Sequence, residues 1–229
     1  MTLRIGFLVF PQVQLLDLTG PYDVFATLPG AEVHQVWKDL APVASTSGLI
    51  LTPDTTFETC PQLDVLCVPG GSGVTDLMED AETLVFIRRQ AAQARYVTSV
   101  CTGALALGAA GLLQGRRAST HWAFHELLAE FGAIPVQERV VRDGQLVTGG
   151  GVTAGIDFAL VLLAELVGEQ EAQAVQLELE YAPAPPFAAG RPETAPAAVV
   201  ELVRQESAAG LARRRQIISR IMAKQESVA

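Results

Sequence analysis

Three short apolar runs, each stopping at or just before a proline or glycine, constrain this chain more than any other feature. They are "LRIGFLVF" (3–10), "DVLCVPGG" (64–71) and "RYVTSVCTG" (95–103). Runs of this length and β-branched content read as strands covered on both faces. Helical patterns lie between them, at 20–28, 81–94 and 104–113; Thr19 is expected to cap the first, with Pro21 in its opening turn. Strands alternating with helices imply an α/β fold: a doubly wound, mostly parallel sheet with helices on both faces. Sites in such sheets form beyond the carboxyl ends of the strands.

Two segments depart from this alternation. "APVASTSGLILTPDTTF" (41–57) reads as an antiparallel hairpin turning near Ser47 and Gly48, and 138–151 as a second hairpin turning at Asp143 and Gly144. A strongly apolar helix is expected over 152–168 and another over 169–182. The proline-rich stretch 183–196 cannot hold a regular element and reads as a linker or extended arm. Helical periodicity returns over 197–225, weakened by Gly210. The chain thus divides into an α/β body (1–182) and an arm with a terminal helix (183–229). The second part has too little core to stand alone, so it is expected to pack on the body or cross to a second subunit. Phe187 and the apolar stretch Val199–Val203 favour the crossing.

With 229 residues, 49% of them hydrophobic, the chain can bury a sizeable core. No run approaches the roughly 18 apolar residues of a membrane span, and the opening "MTLRIGFLVF" lacks a signal-peptide cleavage pattern, so a cytosolic address is expected. The formal net charge of −9 argues against nucleic acid as a partner, since phosphate binding requires a basic face. Cys60, Cys67 and Cys101 show no C-x-x-C spacing, so neither a disulfide framework nor a metal site is expected.

Cys101 is the residue with chemical promise. It closes a buried strand just before a helix, where a sharp turn would thrust its side chain out at the sheet edge. Ser99 and Gly103, two positions to either side, are as small as such a turn demands. The start of the following helix should favour thiolate over thiol. Cys67, in mid-strand, and Cys60, before Pro61, read instead as inert. "VPGGSG" (68–73) can leave backbone N–H groups uncovered, and without the P-loop lysine it suits an oxyanion hole better than a phosphate cradle. Gly71 and Thr102 are the expected donors, with Gly70 beside them. Asp17, in "LLDLTGP", is either a capping carboxylate or a carboxyl group near the thiol. In the second case the two would share one proton, with Asp17 neutral while the sulfur is charged. The glycines of "TGGGVTAGID" could bring an amide near Val152 to the sulfur, with Gly150 permitting helix motion, or could serve tight packing alone.

The words "FLVFPQVQLLDLTGPYDVF", "DVLCVPGGSG", "YVTSVCTGALALGAAGLLQGRRASTHW" and "VTGGGVTAGIDFAL", in this order, resemble the ThiJ/PfpI superfamily, and within it the isonitrile hydratases. The likeness extends over almost the whole chain, including the "YAPAPPF" arm. It implies a flavodoxin-like, class I glutamine amidotransferase-like sandwich and a homodimer. It further implies hydration of an isonitrile to an N-substituted formamide, without a metal or organic cofactor. Carried onto this sequence, the catalytic residues are Cys101 as nucleophile, Asp17 as acid and Thr102 beside the thiol. Thr102 stands where protease-like members have histidine, which argues against peptidase activity. His121, in "STHW", could approach the site, whereas His34 and His125 read as surface or packing residues. The alternative is a ligand-sensing or stress-response relative acting on aldehydes or oxidants. For a sensor joined to a DNA-binding tail, fewer than fifty residues after Tyr181 are too short.

Overall fold

The structure is a computed structural model that describes residues 2–226. Met1 and residues 227–229, which the two-part division above includes, lie outside the described residues. The chain runs β1 (Leu3–Leu8), α1 (Leu15–Ala26), β2 (Ala31–Trp37), β3 (Val43–Ala44), β4 (Ile50–Leu51), β5 (Thr55–Thr56), β6 (Val65–Val68), α2 (Val74–Leu77), α3 (Ala81–Ala91) and β7 (Tyr96–Val100). It continues through α4 (Gly103–Ala109), β8 (Arg117–Ala118), a 3-10 turn (Trp122–Phe124), α5 (Leu127–Glu130), β9 (Ile134–Pro135) and β10 (Val140–Asp143). The last elements are β11 (Leu146–Gly149), α6 (Ala154–Val167), α7 (Glu169–Glu178) and α8 (Ala197–Glu226).

Seven strands form the central sheet in the order β10-β11-β7-β6-β1-β2-β5. Every neighbouring pair is parallel except β10 with β11 at one edge. β6 and β11 are buried along their whole length and β7 over all but its first residue, as continuous apolar runs require. The helices form two groups: α1 packs on α6, while α3, α4 and α5 pack together. The first contact is close because it is made through small residues. A side chain at Gly155 would meet the Pro21 ring at 2.9 Å, and one at Gly20 would meet Ile156 at 3.0 Å.

Several local expectations change. α1 begins at Leu15 with Gln14 at its N-cap, so Pro21 lies inside the helix and Thr19 caps nothing. The Thr19 hydroxyl instead donates to the Leu15 carbonyl at 3.1 Å. The segment Ala31–Trp37 (β2) carries no continuous apolar run, because its partner β5 is only two residues long and leaves it half-covered. The 41–57 hairpin exists as β3 and β4, turning at Gly48 with φ +83°, but its last residues leave it to become the edge strand β5. α4 stops at Ala109, short of the expected residue 113, and α6 starts at Ala154 rather than residue 152.

β1 is followed by β2 on one side while β6 and β7 lie on its other side. The chain therefore reverses its winding direction at β1, and a crevice opens beyond the strand ends there. Beneath it, Phe7, Phe25 and Tyr22 cluster between β1 and α1, with ring centroids 5.7–6.2 Å apart. Phe25 is fully buried. Phe25→Ala is expected to cost about 3–5 kcal/mol. Urea unfolding should show this as a lower midpoint at unchanged slope.

Candidate active site

Cys101 follows β7 and adopts φ +54°, a left-handed conformation unusual for a residue with a side chain. Its N–H is shared between the carbonyls of Gly149 (3.1 Å), the last residue of β11, and Gly150 (3.0 Å), the next one. Its own carbonyl accepts the Thr120 hydroxyl at 2.6 Å. α4 starts two residues later, at Gly103, where a side chain would collide with the Val68 carbonyl oxygen. The turn is therefore an elbow that β6 and β11 grip from both sides.

Beyond β6, the Gly70 N–H donates to Asp17 Oδ2 at 2.8 Å. A side chain at Gly70 would lie 2.6 Å from that oxygen and 2.9 Å from Cys101 Cβ, so glycine lets three segments meet. Asp17 sits in the first turn of α1, fully buried, and its Oδ1 has no hydrogen-bond partner within normal limits among the described residues. The Cys101 thiol is the polar group that interacts with the carboxyl there. Asp17, Gly70 and Cys101 follow the adjacent strands β1, β6 and β7, which is how residues far apart in sequence come together.

Burial pushes the Asp17 carboxyl up to about 7, although the Gly70 N–H and the Cys101 thiol oppose it. Burial also pushes the Cys101 thiol well above its ordinary 9. The Asp17 charge adds to that rise, and the Thr102 N–H and Arg214 oppose it. The helix start alone predicts a lowered thiol pKa, but desolvation and the neighbouring carboxylate outweigh it. The two groups form a buried pair in which the titration of one depends on the other. Cys67 and Cys60 are held as thiols, their pKa values raised by burial to about 12 and about 11.

Other expected residues take more specific places. The Gly71 N–H is already bound to Thr102 Oγ1 at 3.1 Å, so Gly71 and Thr102 do not form an open pair of amide donors. Among the described residues, the Thr102 N–H is the backbone donor that interacts with the sulfur. Gly150 holds the elbow through its carbonyl. Val152 lines the cavity beside Cys101, but no hydrogen bond from its amide to the sulfur is formed. His121 caps the 3-10 turn, its Nδ1 accepting the Ala123 N–H at 3.3 Å. Burial, followed by the Arg214 charge, lowers its pKa, which keeps the ring neutral at pH 7.

The crevice above Cys101 is a cavity of about 580 Å³. Gln14, Thr75 and Phe124 line it, and so does α8, through Ala209, Gly210 and Arg214. Sequence reasoning missed these residues. A signal for Arg214 was present, since it lies on the stripe Leu211, Arg214, Ile218, Ile221, where a cation on an apolar face implies a buried partner.

The DJ-1/PfpI family model matches residues 3–165. The chain belongs to the DJ-1/PfpI family. A relative named isonitrile hydratase, from Pseudomonas putida, is 69% identical over 224 residues, covering 98% of each chain. The solved structure of a ThiJ/PfpI family protein from Pseudomonas syringae matches with a TM-score of 0.93 at 46% identity, over 95% of this chain and 91% of that one. The transcriptional regulator GbdR of Pseudomonas aeruginosa is 32% identical over 75% of this chain, but only 48% of the regulator is covered. The fold expected of the family is therefore the one observed. No described helix is long and apolar enough to cross a membrane.

Linkage gives the raised Asp17 pKa a consequence for stability. The folded value of about 7 exceeds the ordinary 3.8, so the stability that Asp17 contributes is full below about pH 4. That stability is lost as pH rises through 7. Asp17→Asn cannot ionise and is expected to gain on the wild type by on the order of a few kcal/mol between pH 4 and pH 8. Urea unfolding at both pH values checks this; parallel pH profiles would assign the titration to another group.

Proposed function

We propose that this protein is an isonitrile hydratase, converting an isonitrile and water to an N-substituted formamide. The observation that carries this is a thiol on an elbow beside a buried carboxyl that titrates near neutrality, in a chain 69% identical to a relative of that name. An isonitrile carbon is electron-rich and turns electrophilic once protonated, so the chemistry needs an acid and a soft nucleophile side by side. A carboxyl with a pKa near 7 can both give and take a proton at neutral pH.

Substrate enters with one proton shared between the Asp17 carboxyl and the Cys101 sulfur. That proton passes to the Asp17 carboxylate and from there to the isonitrile carbon, while the Cys101 sulfur forms a bond to the same carbon. The product is a thioimidate, R–N=CH–S–Cys. Water then adds to this carbon: Asp17 takes one of its protons and the nitrogen receives one, giving R–NH–CH(OH)–S–Cys. The C–S bond breaks as the hydroxyl loses its proton through Asp17 to sulfur, releasing R–NH–CHO and the starting thiol. The Thr102 amide stabilises negative charge on sulfur. The Thr102 hydroxyl is tied to the Gly71 peptide, accepting its N–H, and so fixes Thr102 beside the nucleophile.

Cys101→Ala is expected to abolish formamide formation, and intact-mass spectrometry should find a substrate adduct on the native enzyme. Asp17→Asn should turn over about 10²–10⁴-fold more slowly. Product analysis by NMR, with an isonitrile and with glyoxal, tests the activity itself. Aldehyde turnover without isonitrile turnover would overturn it in favour of the stress-protein reading.

We further infer a cytosolic homodimer. Phe187 is 78% exposed and Leu202 56% exposed, and Val199 is also open, so the arm and the first half of α8 present apolar surface that a second copy would cover. Light scattering should give twice the 24.3 kDa chain mass. Phe187→Asp with Leu202→Asp should return it to one.

A further inference from the structure

α8 contributes more than a wall to the cavity. Its second half packs on the body through Ile217 and Ile218, which are buried. This seats Arg214, only 4% exposed, against the catalytic crevice. Arg214 Nη2 donates to the Gly71 carbonyl at 2.8 Å and Nε to Thr75 Oγ1 at 3.2 Å, and the guanidinium lies 4.3 Å from the centre of the Phe124 ring.

The charge pairing around this residue is lopsided. Arg213 pairs with Asp76, Arg215 with Glu126 and Glu130, and Arg220 with Glu79. These carboxylates come from α2, α5 and the residues flanking them, the same elements that pack against α8. Arg214, the buried member of the set, has no carboxylate partner among the described residues, although a guanidinium is always charged. Glu206 lines the same cavity but is exposed and makes no pair with it. A buried cation without a counter-charge is costly unless a negative charge forms beside it. The groups facing it across the cavity are His121, which is neutral, and Cys101, which can become an anion. The electrostatic interaction between Arg214 and Cys101 favours the charged form of each.

We propose that Arg214 is a positioning residue of the Cys101 site: it holds the Gly71 peptide in place and supplies the counter-charge for the Cys101 thiolate. When the proton shared by the pair rests on Asp17, the negative charge is on Cys101, and the fixed guanidinium stabilises it there. The Gly71 carbonyl that Arg214 grips also accepts the Thr102 hydroxyl at 3.3 Å, so the same contact orients the residue next to the nucleophile. The terminal helix is then part of the reactive site. Its role in isonitrile turnover rests on the function proposed above; its effect on the thiol does not.

The test uses the full chain. Alkylation of Cys101 by iodoacetamide is followed against pH by peptide mass spectrometry, which separates it from Cys60 and Cys67. The measurement is made with and without Asp17→Asn to remove the carboxyl titration. Arg214→Met is expected to move the alkylation midpoint up by about one pH unit or more. It should also lower kcat for an isonitrile about tenfold, with a smaller change in KM. Arg214→Lys, which keeps the charge, should restore most of the midpoint. A folded Arg214→Met protein with the wild-type midpoint overturns the proposal. Should methionine at 214 prevent folding, Arg214→Gln decides, because it can still bond the Gly71 carbonyl without charge; an unmoved midpoint there overturns the proposal equally. If the wild type alkylates as expected but hydrates no isonitrile, the proposed activity fails while the role of Arg214 is still judged by its midpoint.

Discussion

The left-handed turn at Cys101 is the constraint on which the site depends. A residue with a side chain held at φ +54° costs on the order of 1–3 kcal/mol, so the surrounding structure must impose the conformation. Here the Gly149 and Gly150 carbonyls hold the Cys101 N–H, the Thr120 hydroxyl holds its carbonyl, and the close approach of Gly103 to Val68 fixes where α4 can begin. The carbonyl partners stand at the ends of β6 and β11, and Thr120 stands just after β8. The parallel register of β6, β7 and β11 is therefore what aims the sulfur.

Burial then sets the chemistry. A solvated thiol and carboxyl would differ in pKa by several units and behave independently. Desolvation raises both, and the Asp17 charge further disfavours the thiolate, so they act as a pair that keeps a proton between them at neutral pH. Cys67 shows what burial does without a charged partner: its thiol rises to about 12 with no nearby acid to use it. The helix start that the sequence suggests as activator remains present through the Thr102 N–H. Against full desolvation it is a correction and not the controlling influence.

What was legible in the sequence was local. The elbow could be read because strand, small neighbours and helix start are contiguous around Cys101. The glycines of 70–71 and the Asp143–Gly144 turn were legible for the same reason. Asp17 was visible only as one of two readings, because its burial depends on α1 packing on β1 beside Gly70. β2 escaped because, only partly covered beside a two-residue edge strand, it carries neither a continuous apolar run nor a clean alternation. The Gly71 amide was misjudged because Thr102 Oγ1, thirty-one residues away, occupies it. Arg214 was missed because its partners are brought to it only when α8 docks, 139 residues along the chain from Thr75.

The histidines show why a carboxyl is better placed than an imidazole to carry the proton here. His121 reaches the cavity wall, yet its Nδ1 is committed to the Ala123 N–H, and burial together with Arg214 disfavours its protonated form. An imidazolium beside the sulfur would compete with Arg214 for the same negative charge and would need the solvation that the pocket withholds. A carboxyl is neutral when it holds the proton. Transfer from sulfur to Asp17 therefore moves one negative charge over a short distance and creates no new pair of charges. In a buried site that is the cheaper step, and the guanidinium of Arg214, lining the same cavity as Cys101, opposes the cost of the charge on sulfur.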